Sequence, residues 1–164
     1  MAKNRKSIIL ALDISSNNTG YAVLRNGRWN KSGASFGHVK VPTDLSLPKR
    51  LVLFRDALAR IIRAIKPTDI IIEDVFSGRN IATMKLLARF NGVAVELCRR
   101  TIKKDPIIAL AAEVRAGIGC GRSKKEAFEY IQKRYNLDWS FNKMNDVTDA
   151  LMLALYGYKV LRKV

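Results

Sequence analysis

The stretch Ser7 to Arg25, SIILALDISSNNTGYAVLR, constrains this chain more than any other. An apolar run, Ile8 to Leu12, ends on Asp13. A polar turn of Ser, Asn and Thr follows, and Gly20 then opens a second apolar run, Tyr21 to Leu24. Two such runs joined by a short polar turn read as a β-hairpin. Asp13 is therefore expected on the last residue of a buried strand. Burying an unpaired carboxylate costs several kcal/mol even after relaxation, so a cation is expected beside it.

The charge balance points to a partner. The chain of 164 residues has 30 Lys+Arg against 14 Asp+Glu, a formal net charge of +16, spread along its length rather than gathered in a tail. Such an excess favours a polyanion, nucleic acid first, with a basic membrane-surface protein as the duller alternative. No apolar run approaches the roughly 18 residues of a spanning helix. The basic start, MAKNRKSIILALD, stops being apolar at Asp13, too soon for a signal peptide, so a cytoplasmic protein without membrane association is expected. The length suits one domain, residues 1–164, and 48% hydrophobic content supports an ordinary core. Cys98 and Cys120 fit no zinc or redox spacing and read as reduced thiols. His38, the sole histidine, reads as an ordinary loop or strand residue, which excludes most Ser-His or Cys-His schemes.

Along the chain, Asn26-Gly27 signals a second hairpin, with a third strand at about Arg28 to Phe36 and a connection from Gly37 to Ser46. Leu47, Leu51, Phe54, Leu58, Ile61 and Ile65 form one helical stripe, with Pro48 in the tolerated first turn and Lys66-Pro67 as the stop. Asp69 to Asp74, DIIIED, reads as a central strand buried on both faces. A second helix is expected from about Asn80 to Thr101. Gly92 within it costs about 1 kcal/mol relative to Ala, tolerable if another backbone packs there. Ile107 to Val114 reads as a fifth strand, followed by the Gly-rich loop GIGCGRSKK. Ser123 to Glu126 is a capping box opening a helix to about Tyr135. A last helix is expected from near Asn145. Hairpin strands first and helix-separated strands later argue for an α/β fold, a mixed sheet of five strands flanked by helices.

In so basic a chain, acids inside apolar segments are informative. Asp13 and Glu73 end strands one and four, and Asp146 and Asp149 are three apart on one helical face. If strands one and four are neighbours, their acids converge at one sheet edge. Each has a structural reading of its own: a turn cap for Asp13, a surface Arg partner for Glu73 and Asp74, and the first-turn helix dipole for Asp146. Asp149 lies a turn deeper, where capping explains it poorly. Four such accidents are less economical than one shared cation, because clustered carboxylates repel unless divalent metal neutralises them. All-oxygen ligands select Mg²⁺ or Mn²⁺ over zinc.

With these residues in place, Asp13 with Thr19-Gly20-Tyr21, then Ile72-Glu73-Asp74-Val75-Phe76, then Asp146-Val-Thr-Asp-Ala-Leu resembles the RuvC family of Holliday junction resolvases, within the RNase H-like nucleases. The similarity runs from Ile9 to Tyr156. It includes Lys85 to Gly92 and the Gly-x-Gly loop before Lys124 and Lys125.

The resemblance implies an RNase H-like fold and two Mg²⁺ ions, with Mn²⁺ as a substitute, held by Asp13, Glu73, Asp146 and Asp149. One ion would activate a water and both would stabilise an in-line displacement. It also implies that Phe76 stacks on a junction base, with Arg79, Asn80, Lys85 and Arg122 among the DNA contacts. A lysine after the Gly-rich loop, Lys124 or Lys125, would work at the active site. Arg115 stands where the family carries a lysine; it can contact phosphate but does not deprotonate. Asp13-Ile-Ser-Ser replaces the Asp-Pro-Gly-Ser of bacterial members, as a divergent, phage-type member would.

The implied partner is four-way or other branched DNA, met by a homodimer built on the helix after Asn80, because a two-fold axis suits symmetric nicking. Three readings compete with a strict resolvase. One is a broader branched-DNA or flap endonuclease. Another is an actin-like or sugar-kinase-like phosphotransferase, since Asp13-x-Ser-x-x-x-Thr-Gly also resembles that phosphate loop. The third is a binding module for branched nucleic acid that does not cut.

Overall fold

The computed structural model describes residues 6–32, 35–75, 78 and 80–163. The chain runs β1 (Ile8–Asp13), β2 (Asn18–Arg25), β3 (Phe36–Lys40), α1 (Leu47–Ile65), β4 (Asp69–Glu73), α2 (Ile81–Ile102), β5 (Ile107–Ala109), α3 (Ala111–Ile118), α4 (Lys124–Tyr135) and α5 (Phe141–Leu161). One sheet has the order β3-β2-β1-β4-β5, with β1–β2 and β2–β3 antiparallel and β1–β4 and β4–β5 parallel. This is the mixed five-stranded sheet expected, with strands one and four as neighbours and β1 rather than β4 at its centre.

Strand alternation sorts the interior into two layers. Leu10, Leu12, Val23, Ile70 and Ile72 face Phe54, Leu58 and Ile62 of α1 and Phe90, Ala94 and Leu97 of α2. Ile9, Ala11, Ala22, Leu24 and Ile71 face α3, α4 and the densely buried α5. Continuing the alternation by two residues puts Asp13 and Glu73 on the α5 side. The register pairs Leu12 with Ile72, so the next residues along, Asp13 and Glu73, end neighbouring strands side by side.

Three boundaries differ from the sequence reading. The Asn26-Gly27 turn forms, with both residues at positive φ (51° and 76°), but only Arg25 and Arg28 pair beyond it. Trp29 then leaves the ladder to pack against Phe36, Tyr135 and Trp139 at centroid distances of 5.6, 5.0 and 5.8 Å. Strand pairing resumes only at Phe36, opposite Ala22, so the supposed connection from Gly37 to Lys40 is the strand.

The fifth strand stops at Ala109, and Ala111–Ile118 is an additional helix. Alanines and Glu113 in its first turn favour helix, and Gly119 ends it in a left-handed cap at φ 76°. The last helix starts at Phe141, a turn before Asn145, so Asp146 lies beyond the first turn and the dipole does not account for it.

Two glycines place α5. A Cβ on Gly20 would lie 2.3 Å from the Asp146 carbonyl oxygen, and one on Gly157 would meet Ile71 Cδ1 at 3.2 Å. The helix therefore lies directly on β2 at the residue that pairs with Asp13. Gly92 is different: beyond its own helix turn, no atom of the described residues comes within 4 Å of the Cβ position, so no other described backbone packs there.

Gly20→Ala should force α5 away from the sheet. We expect a loss of about 1–3 kcal/mol, measured by urea unfolding, in the range typical of overpacked sites.

Candidate active site

Asp13 and Glu73 end parallel strands, and Asp146 and Asp149 come down on them from α5. Burial pushes the Asp13 carboxyl well above the usual carboxylate range, and the charges of Glu73, Asp149 and Asp146 push the same way; Lys124 opposes them. Burial and Asp149 raise Glu73 to about 7, against Lys124 and Arg115. Asp149 is also raised, because burial outweighs its ion pair with Lys124. These acids are short of positive charge.

Lys124 supplies part of it. Its Nζ lies 2.7 Å from Asp149 Oδ2 and 3.8 Å from Asp146 Oδ1. Attraction to Asp149, Asp13 and Asp146 raises the lysine's own pKa despite burial. The capping box that Ser123 and Glu126 complete fixes Lys124 as the first residue of α4 and aims it at the acids. Lys125 is exposed. Arg115, on α3, acts on Glu73 and Asp149 through its charge, and its Nε is buried without a hydrogen-bond partner among the described residues.

Lys85 and Arg122 are exposed, and Asn80 caps α2, its Oδ1 accepting from the Thr83 N–H at 2.8 Å. Phe76 and Arg79 fall outside the described residues. Asp74 is exposed, and its Oδ1 accepts the Val75 N–H at 2.8 Å.

The sequence reading missed the residues that brace the site. Asn91 of α2 donates to the Glu73 carbonyl at 3.0 Å. Arg50 of α1 donates from Nη2 to the Ser16 carbonyl at 2.6 Å and stacks over Phe90, 5.5 Å from its centroid. Both are buried polar residues on helix faces that otherwise carry the core, and that misplaced polarity is the signal by which they could have been found. Asn18 donates from Nδ2 to Asp146 Oδ2 at 3.0 Å. His38 is a strand residue, as expected, in β3; it stands opposite Gly20, within the field of Asp146, and burial pulls its pKa down.

The donor set suits a hard divalent cation: buried carboxylate oxygens with raised pKa values and one ammonium among them. Among the described residues no three His, Cys, Asp or Glu side chains already converge around a metal position, and Asp146 and Asp149 face Lys124 instead.

A mixed β3-β2-β1-β4-β5 sheet flanked by helices, with acids at the ends of two adjacent parallel strands and on α5, is an RNase H-like fold. The chain belongs to the crossover junction endodeoxyribonuclease RuvC family, whose model matches residues 9–156. The RuvC protein of Alkaliphilus oremlandii is 30% identical over 154 residues, covering 90% of each chain. That of Dictyoglomus turgidum is 27% identical over 154 residues, covering 93% of this chain and 97% of its own. Among solved structures, Thermus thermophilus RuvC in complex with a Holliday junction substrate matches with a TM-score of 0.78 at 13% identity, over 96% of each chain. At that identity the likeness is one of fold. Family members are metal-dependent nucleases. No helix among the described residues is long and apolar enough to cross a membrane.

The raised carboxyls have a consequence for stability. A carboxyl whose folded pKa exceeds its unfolded value contributes stability below the unfolded pKa, and that contribution is lost as pH rises through the folded one. For Glu73 the window runs from the ordinary carboxyl value of 4.5 to about 7. In metal-free protein, Glu73→Gln should therefore gain stability relative to wild type at pH 8 and less at pH 5, as read from urea midpoints.

Proposed function

We propose that this chain resolves four-way DNA junctions, nicking them symmetrically as a homodimer, with two Mg²⁺ ions, or Mn²⁺ in their place, held by Asp13, Glu73, Asp146 and Asp149. The observation that carries this is the meeting of Asp13, Glu73 and Asp149 in one field beside Lys124, in a chain of the RuvC family. A single domain working on DNA in recombination, repair or phage DNA processing, in the cytoplasm of a bacterial or phage-infected cell, suits these features.

Bound divalent ions would lower the pKa of a water and offset charge on the phosphate undergoing displacement. The chain's own residues do the rest. Asp13 and Glu73 stand on strands whose register cannot slip without turning their side chains to the other face. Asp146 and Asp149 are fixed by the seating of α5 on Gly20. Lys124, 45% exposed, can turn from the carboxylates to a substrate phosphate as a mobile point charge. Arg115 is placed beside Glu73 and Asp149 to contact phosphate. Lys125, Arg122 and Lys85 extend the basic surface, and the family resemblance adds Arg79 and Asn80 as DNA contacts and Phe76 as the base-stacking residue. The net charge of +16 makes DNA affinity fall steeply with salt.

For the dimer, the face of α2 around Gly92 is open. Gly92, Val95, Pro106 and Ile108 line an apolar groove between α2 and β5, and Ile108 is 46% exposed. A second copy set against Gly92 would account for a glycine in mid-helix, where close approach of another backbone offsets its cost. Two sites related by a two-fold axis match the symmetry of a four-way junction.

Purified protein incubated with matched four-way, flap and linear DNA, with Mg²⁺ or with EDTA, tests the activity. Paired symmetric nicks confined to the four-way substrate and abolished by EDTA are expected; equal cutting of flaps would make it a broader branched-DNA nuclease. Asp13→Asn should bind junctions with little change yet cut them orders of magnitude more slowly, and a fully active variant would refute the site. By light scattering, wild type should run at twice the 18.4 kDa chain mass and Gly92→Arg as a monomer.

A further inference from the structure

We infer that Asn18 positions Asp146 for divalent-cation binding, and that His38 holds the Asn18 amide in the orientation this requires. The inference rests on the reading of Asp146 as a metal ligand. Asn18 Nδ2 donates to Asp146 Oδ2 at 3.0 Å, linking residues 128 apart in the chain. That bond occupies one carboxylate oxygen. The other, Oδ1, is the one turned towards Lys124 Nζ, 3.8 Å away, and so towards the other acids.

The far end of the same amide is unsatisfied. Asn18 Oδ1 is buried with no hydrogen-bond partner among the described residues, and so is His38 Nε2. Leaving one buried polar atom unpaired costs about 1–3 kcal/mol. The sheet register brings the two together: Asn18 stands opposite Lys40 and Gly20 opposite His38, so residues 18 and 38 are diagonal neighbours on one face. Diagonal pairs lie roughly 7–8 Å apart at the backbone, within reach of a long side chain. The two atoms do not bond to each other in this structure and neither is open to water; a rotation of the His38 ring that brings an Nε2–H to the Asn18 oxygen would satisfy both.

Polarity then makes the contact directional. An asparagine amide is nearly symmetric in shape but not in charge, and turned round it would set an oxygen against the Asp146 carboxylate. A donor at His38 opposes that rotation and keeps the NH₂ group on Asp146. The close seating of α5 on Gly20 denies Asp146 the room to escape the contact. His38 and Asn18 touch no reacting atom in this account; they are positioning residues.

The test is a Mn²⁺ titration of metal-free, DNA-free full-length protein, with free Mn²⁺ read by electron paramagnetic resonance. Hydrogen-bond partners of metal ligands typically contribute about 10- to 100-fold in affinity, and Asn18→Ala should lose that much. His38→Ala should weaken binding in the wild-type background and add nothing on top of Asn18→Ala, because it acts through that residue. His38→Gln, which keeps a donor, should retain most of the affinity. Urea unfolding of each metal-free variant establishes that it is folded, and Asn18→Ser replaces Asn18→Ala if the latter is not.

Asp146→Asn separates the two ideas. If it leaves Mn²⁺ binding intact, Asp146 is not a ligand and the site reading itself fails. If it abolishes binding while Asn18→Ala changes nothing, this inference alone is overturned. Additive losses for Asn18→Ala and His38→Ala would remove His38 from it.

Discussion

Helix α5 lies on the sheet so closely at Gly20 that no side chain fits between them, and the candidate site exists because of that contact. Gly20 pairs with Asp13 on one side and with His38 on the other. Setting the Asp146 backbone on this glycine delivers two helix carboxylates to the ends of β1 and β4. A methyl group at residue 20 would hold the helix off, and the acids of the sheet and of the helix would no longer share a field. Gly157, over Ile71, repeats the device further along and fixes the line of the helix.

The price of that arrangement is like charge in a confined space. Asp13, Glu73 and Asp149 all sit above their usual pKa values, burial being the largest cause in each case. One ammonium, Lys124, and the nearby Arg115 offset part of the repulsion. A structure that concentrates anions to this degree gains by admitting cations, so metal held here, as proposed, would also stabilise the fold. The bracing is built accordingly: Asn91 ties α2 to the Glu73 carbonyl, Arg50 ties α1 to the turn after Asp13, and Asn18 ties that turn to Asp146. Two of these braces come from the helices α1 and α2, and the third from the start of β2.

Most of the fold was legible because its signals are local. The apolar run ending on Asp13 and the DIIIED run gave strands of the right position, and the Ser123–Glu126 capping box gave the start of α4. The misses came where a long-range contact overrode a local signal. Trp29 abandons the ladder for aromatic packing with residues more than a hundred positions later, so the third strand begins only at Phe36. The run from Ile107 is apolar enough for either structure, and the boundary falls where pairing with β4 ends at Ala109 and α3 begins after Leu110.

The sequence by itself determined which residues carry charge, which faces of the strands and helices are apolar, and that a few acids interrupt apolar segments of a strongly basic chain. Period and composition are properties of neighbours along the chain, so they can be read there. Only the tertiary structure decided that Lys124 rather than Lys125 turns to the acids, that the lone histidine stands beside Asp146, and that an asparagine of the first turn reaches a helix 128 residues away. Those outcomes depend on how closely separate elements approach, and that distance is set by packing between faces, which no local pattern encodes.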